Sequence, residues 1–281
     1  MKPFDIVLNP RTEAFISAFV EKPRQSILFV GEKGFGKSYI VNYILNLFSA
    51  RKEDIHTVLP NESSAISVDE IRKLKSFLKL KTNDVKTKRF ILINNADAMT
   101  EEAQNALLKM LEEPPENCIF LMSTSNKSKL LETILSRVDV HELSKPSIPQ
   151  LSEYIVNHGG KEAELKRIIA VSNGLPALAI CISSGKDTEY MSQIDSAKSF
   201  LTGSVENRLR QIEVVLKDKQ KTIEFLDALM VIVKASINNQ ISTGNLVGKW
   251  ESRARLVMKT QILIKANVST KLALTDLSIS L

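Results

Sequence analysis

The sequence is short of cysteine and histidine, and each shortage removes a class of function. It holds 2 Cys and 1 Trp. Cys118 and Cys181 are far apart and sit in apolar runs, which reads as two buried, reduced thiols rather than a disulfide framework. The 3 histidines, His56, His141 and His158, are isolated and no cysteine cluster accompanies them, so no zinc is expected. Apolar runs stop after a handful of residues, far below a membrane span. The opening MKPFDIVLNP has no apolar h-region and does not read as a signal peptide. The expectation is a cytoplasmic chain with no membrane contact.

What remains is ordinary for a globular protein. The 281 residues are 43% hydrophobic and 25% charged, enough for two domains or three small ones. A net charge of +6 permits nucleic-acid contact without establishing it. Basic residues are scattered, apart from five Lys/Arg in Lys79–Arg89, which reads as a solvated loop or a basic patch.

The first half alternates strands and helices. Ser26–Val30 is a short apolar strand, and Lys37 to about Ala50 has helical periodicity through Ile40, Val41, Ile44, Leu47 and Phe48. Ile55–Leu59 reads as a second strand. Ser67 and Glu70 form a capping box before Ile71, Leu74, Phe77 and Leu78. Phe90–Ile93 is a third strand, and Thr100 caps a helix whose stripe is Ala103, Ala106, Leu107, Met110 and Leu111. Pro114-Pro115 ends that helix. Cys118–Met122 is a fourth strand, Lys129–Leu135 a helix and Val138–Leu143 a fifth strand. This alternation predicts a parallel sheet covered by helices, with a ligand at the carboxyl ends of the strands. Lys145–Pro149 reads as a linker. Beyond it the pattern is helical, over Ile148–His158, Glu162–Ser172, Ala177–Ser183 and Val205–Leu281, with a polar turn at Ser183–Asp187.

The chemistry concentrates in Gly31-Glu32-Lys33-Gly34-Phe35-Gly36-Lys37-Ser38, a complete G-x-x-x-x-G-K-[ST] loop between an apolar strand and an amphipathic helix. Backbone N–H groups wrapped at a helix start cradle phosphate. Lys37 reaches the β- and γ-phosphates, and the Ser38 hydroxyl is a Mg²⁺ ligand. The competing reading is a glycine turn without a ligand. The third strand ends in Asn94-Asn95, where phosphate-loop ATPases carry carboxylates for Mg²⁺ and for the attacking water. An amide cannot accept the proton, and losing a general base costs about 10²–10⁴ in rate. These Asn residues also suit a bare strand-to-helix turn. Asp97 follows at an offset that turns it elsewhere. The chain thus reads as one that binds ATP or ADP with Mg and turns it over poorly.

Four segments together carry a resemblance: Gly31–Ser38, Asn95–Thr100, Gln104–Pro115 (QNALLKMLEEPP) and Thr133–Arg137 (TILSR). In these the chain resembles the clamp-loader subunits of bacterial DNA polymerase III, an AAA+ family. Within it the delta-prime type fits best, because gamma/tau-type subunits carry Asp-Glu at Asn94-Asn95. The likeness is strong over 1–145 and weak beyond 200, although Asn267–Leu274 is similar to the family's last collar helix.

The resemblance implies an α/β AAA+ domain at 1–144, a helical lid at 145–203 and an all-α collar at 204–281. It implies partners too: gamma/tau-type and delta-type subunits, a sliding clamp and primer–template DNA. Arg137 falls in the family's S-R-C motif, here Ser136-Arg137-Val138, and would act as an arginine finger in a neighbouring subunit. Without that context it is a surface Arg at a helix end. Thr124, or Ser125, matches a phosphate-sensing position at a strand end. The family's zinc module is absent from Ser49–Ser64, and its γ-phosphate-sensing lid Arg is absent from Gly174–Leu178. Two readings compete with a delta-prime-like stator: a gamma/tau-type motor in which Asp97 or another acid substitutes, and a free-standing nucleic-acid remodeller.

Overall fold

A computed structural model describes residues 7–60, 65–79, 88–115, 117–185, 188–216, 219–243 and 248–281. Most of the Lys79–Arg89 stretch, and the end of the Ser183–Asp187 turn, lie outside them. The chain forms two compact units, Met1–Gln150 with Leu175–Ala177, and Leu151–Gly174 with Leu178–Leu281.

The first unit opens with α1 (Pro10–Glu21), a helix the apolar periodicity does not announce. Its start is nevertheless encoded: Asn9 caps Arg11 N, and Pro10 takes the first position, where its missing N–H costs nothing. There follow β1 (Ser26–Val30), α2 (Lys37–Leu47), β2 (Ile55–Val58), α3 (Val68–Lys79) and β3 (Arg89–Ile93). Then come α4 (Glu101–Glu112), β4 (Cys118–Thr124), α5 (Glu132–Leu135) and β5 (Asp139–Glu142). The helix expected over Lys129–Leu135 is a single turn, preceded by a 3₁₀ turn at Lys127–Lys129. Thr100 caps α4 through Ala103 N, as its sequence position implies.

All five strands are parallel, in the order β2-β3-β4-β1-β5. The central strands β1, β3 and β4 read as nearly continuous apolar runs because both faces are covered, whereas the edge strands β2 and β5 mix polar and apolar residues. On one face Leu28, Ile91, Ile93, Phe120 and Met122 pack with Ile71 and Leu74 of α3 and Ala103, Leu107 and Leu111 of α4. On the other, Phe29 meets Phe15 of α1 edge-on at 6.3 Å, and Phe90 meets Phe48 at 5.4 Å. This topology sets the ends of β3, β4 and β1 side by side, and the candidate site lies there.

The chain then runs through α6 (Ile148–Asn157), α7 (Leu165–Ser172), α8 (Pro176–Ser183), α9 (Thr188–Thr202), α10 (Val205–Val215), α11 (Lys219–Ser242), α12 (Gly248–Lys265) and α13 (Thr270–Ser280). The expected linker is cut short by α6. Ser147 and Gln150 form a capping box there, Ser147 N donating to Gln150 Oε1 at 3.0 Å and Gln150 N to Ser147 Oγ at 3.4 Å. The core of the second unit joins Phe200 of α9, Ile212 of α10, Phe225, Leu229 and Val233 of α11, Val257 of α12 and Leu274 of α13. Both cysteines are free; Cys118 is buried, but Cys181 is only half-buried. No described helix is long and apolar enough to cross a membrane.

Candidate nucleotide-binding site

The loop after β1 has the backbone that an anion cradle requires. Gly36 caps α2 at φ 96°, a conformation that residues with a side chain rarely adopt, and Gly34 sits at φ 87°. No side chain caps α2, and no acid occupies its first turn. Its leading N–H groups and the positive end of its dipole are therefore available to an anion. At Gly31 a Cβ would lie 3.1 Å from Leu143 Cδ1, a tight contact that glycine avoids.

Lys37 is buried at 8% exposure and stretches back along its own loop. Its Nζ donates to Gly31 O at 2.6 Å, Glu32 O at 3.1 Å and Ser125 Oγ at 2.9 Å. Burial pushes its ammonium below the ordinary lysine range, against the opposing charges of Asp97 and Glu32. Lys145 pairs with Glu32 at 3.3 Å on the outer side of the loop.

The neighbouring strand ends complete the floor. Asn94 Oδ1 accepts from the buried Ser123 hydroxyl at 3.3 Å. Asn95 is exposed in a left-handed turn, φ 53°, which asparagine tolerates better than most residues. Asp97 corrects the sequence reading. The 3₁₀ turn Ala96–Ala98 swings it back over β4, where Oδ1 accepts from Thr124 Oγ1 at 2.8 Å and Ser125 N at 3.2 Å. It is the carboxylate whose charge Lys37 feels most. Thr124 is fully buried, and its hydroxyl both donates to Asp97 and accepts from Asn126 N. Ser125 is the exposed residue of the pair, with its hydroxyl on Lys37.

These residues fit a phosphate: a glycine-shaped cradle, an uncapped helix start and an ammonium beside it. For Mg²⁺ the loop offers one exposed hydroxyl, Ser38, and the residues directly after β3 offer only neutral amides, so a metal would depend largely on the nucleotide's own phosphates.

Arg137 lies apart, just beyond α5. Its Nη2 pairs with Glu112 Oε1 at 2.7 Å. A residue the sequence reading passed over supports this side of the unit. Gln104, 3% exposed, donates to Met99 O at 3.3 Å and Lys129 O at 3.0 Å, and accepts from Leu131 N at 2.8 Å. Its signal was a polar residue on the apolar face of α4.

The family model for the delta subunit of DNA polymerase III matches residues 44–147. The delta-prime subunit from Haemophilus influenzae is 28% identical over 192 residues, which cover 67% of this chain and 57% of that protein. Its counterpart in Bacillus subtilis is 32% identical over 152 residues, 46% of either chain. Over part of its length the chain is similar to delta-prime subunits of DNA polymerase III. It spans about half the length of these curated relatives. The crystal structure of a DNA polymerase III gamma subunit-related protein from Thermotoga maritima superposes with a TM-score of 0.56 at 17% identity, covering 95% of this chain and 97% of that one. The two share a fold in which a parallel sheet carries the glycine loop and a helical region follows in the chain.

Proposed function

We propose that the chain is a delta-prime-type stator of a DNA polymerase III clamp loader, the complex that places a sliding clamp on primed DNA. In this reading the first unit holds ATP or ADP in the Gly31–Ser38 loop, with Ser38 on the magnesium the nucleotide brings. Ser125, rather than Thr124, faces the phosphates. Hydrolysis is slow, and Arg137 serves the nucleotide of a neighbouring gamma/tau-type subunit. A lid at 145–203 and a collar at 204–281 hold the chain beside gamma/tau-type and delta-type partners, and DNA is reached through the assembled ring.

One observation carries the reading. The cradle and Lys37 are intact, while the residues after β3 are Asn94, spent on Ser123, and Asn95, exposed in a turn. The relatedness to delta-prime subunits supports the assignment to a clamp loader.

The motor reading has one observation of its own, since Asp97 stands close enough to act on Lys37. Against it, Asp97 Oδ1 already accepts two hydrogen bonds from β4 and its exit. Two experiments separate these readings. Co-purification with gamma/tau-type and delta-type subunits is expected, and failure to associate would favour a free-standing remodeller. The isolated chain is expected to release little phosphate from Mg·ATP; brisk release lost in both Lys37→Ala and Asp97→Asn establishes the motor instead. In the assembled complex Arg137→Ala is expected to lower turnover about 10³-fold or more, with assembly intact.

A further inference from the structure

Arg137 makes three side-chain contacts with its own unit. Besides the 2.7 Å contact of Nη2 with Glu112, its Nη1 donates to Thr133 O at 2.9 Å and to Ser136 Oγ at 3.3 Å. A guanidinium carries five N–H donors. These contacts use both hydrogens of Nη1 and one of Nη2. The Nε–H and the second Nη2–H have no partner among the described residues.

Glu112 comes from the last turn of α4, and Arg137 from beyond α5. Joining these elements does not need the ion pair. Gln104 already binds Lys129 O and Leu131 N from inside, and Leu107, Leu111 and Ile134 share the core beneath them. With side chains 34% and 48% exposed, the pair adds little to folding. What it does is fix the rotamer of a long, flexible cation at the surface. A planar fork meets phosphate well in only a few orientations, and order established beforehand is not lost at the reacting step.

We propose that Glu112 is a positioning residue for Arg137, holding the guanidinium so that two N–H groups are presented to a neighbouring subunit's triphosphate before the subunits meet. The proposal rests on reading Arg137 as a finger. Glu112 would touch no substrate and act only through the arginine.

The test is steady-state Mg·ATP hydrolysis by the complex assembled with gamma/tau-type and delta-type subunits. Glu112→Ala is expected to lower kcat about two- to fivefold, the range an exposed ion pair provides, and to leave KM unchanged. Glu112→Gln keeps an acceptor of the same reach and is expected to recover most of that loss. The double variant Glu112→Ala/Arg137→Ala is expected to match Arg137→Ala alone. An unchanged or raised kcat in Glu112→Ala overturns the proposal, as does a further loss in the double variant, which would place the effect of Glu112 elsewhere. If Glu112→Ala does not fold, Glu112→Lys against Glu112→Gln decides the same point, and equal kcat in both refutes the positioning role. Full activity in Arg137→Ala is a different result, removing the finger reading itself.

Discussion

Replacing Gln104 by methionine isolates a buried polar network without opening a cavity, because the two side chains are close in volume. The change removes two donated bonds, to Met99 O and Lys129 O, and one accepted bond, from Leu131 N. A net hydrogen bond contributes about 0.5–1.5 kcal/mol, and a buried group stripped of its partner costs about 1–3 kcal/mol. Lys129 is exposed and water can reach it in part, whereas Met99 is 5% exposed. The loss works out at about 2–3 kcal/mol. For a unit of this size that is a fall in Tm of about 4–12 °C. Thermal unfolding followed by far-UV circular dichroism measures it. Trp250, the sole tryptophan, belongs to the second unit, so its fluorescence follows that unit separately. A circular-dichroism midpoint that stays within about 1 °C of the parent would mean that the three bonds contribute nothing net, and the reasoning would be wrong.

Two further outcomes follow from the site and from the buried histidine. Lys37→Ala removes the ammonium from the cradle and is expected to weaken binding of a fluorescent ATP analogue by about 10- to 100-fold, the range for a charged hydrogen bond; equal affinity in both proteins would place the nucleotide elsewhere. His141 is buried, stacked on Phe15 at 4.0 Å, with Nε2 3.2 Å from Thr12 Oγ1. Burial, then the charge of Arg11, holds its imidazole below the ordinary value of 6.5, with Asp139 opposing. The folded state therefore binds fewer protons, so the stabilisation is complete above about pH 6.5 and is lost as pH falls through the depressed folded value. His56, also lowered by burial, acts in the same sense. His141→Phe is expected to flatten the decline of Tm between about pH 6.5 and 5, and a slope equal to the parent's would refute the assignment.

The fold was legible where a side chain has one dominant environment. Strands buried on both faces read as unbroken apolar runs, and α4 showed its cap, stripe and terminating prolines. Elements set by local polar contacts were harder to read. The Asn9-Pro10 start of α1 and the Ser147–Gln150 box of α6 are short signals beside weak periodicity. Ser67 and Glu70 show the converse: the spacing marks the start of α3 correctly, yet the Glu70 carboxylate meets Lys73 at 2.6 Å. The phosphate loop was fully legible, because its spacing is itself the geometry. Gln104 was not, since its partners lie 25 and 27 residues away in sequence.

Asp97 bears most directly on what the site can do. Counting along an extended chain sends it away from the ligand, but the chain after Ile93 is not extended: Asn95 takes a left-handed conformation and Ala96–Ala98 a 3₁₀ turn. Two residues of offset thereby become a return to the end of β4. Once there, the carboxylate is anchored by the Thr124 hydroxyl and the Ser125 amide, and Ser125 in turn touches Lys37. Both bonds fall on Oδ1, so a lone pair offered to an attacking water would have to come from Oδ2. A carboxylate holding a buried hydroxyl and a backbone amide is better placed to keep the β4 end and the lysine in register. On this argument Asp97 supports binding, and the amides after β3 supply no proton acceptor of their own.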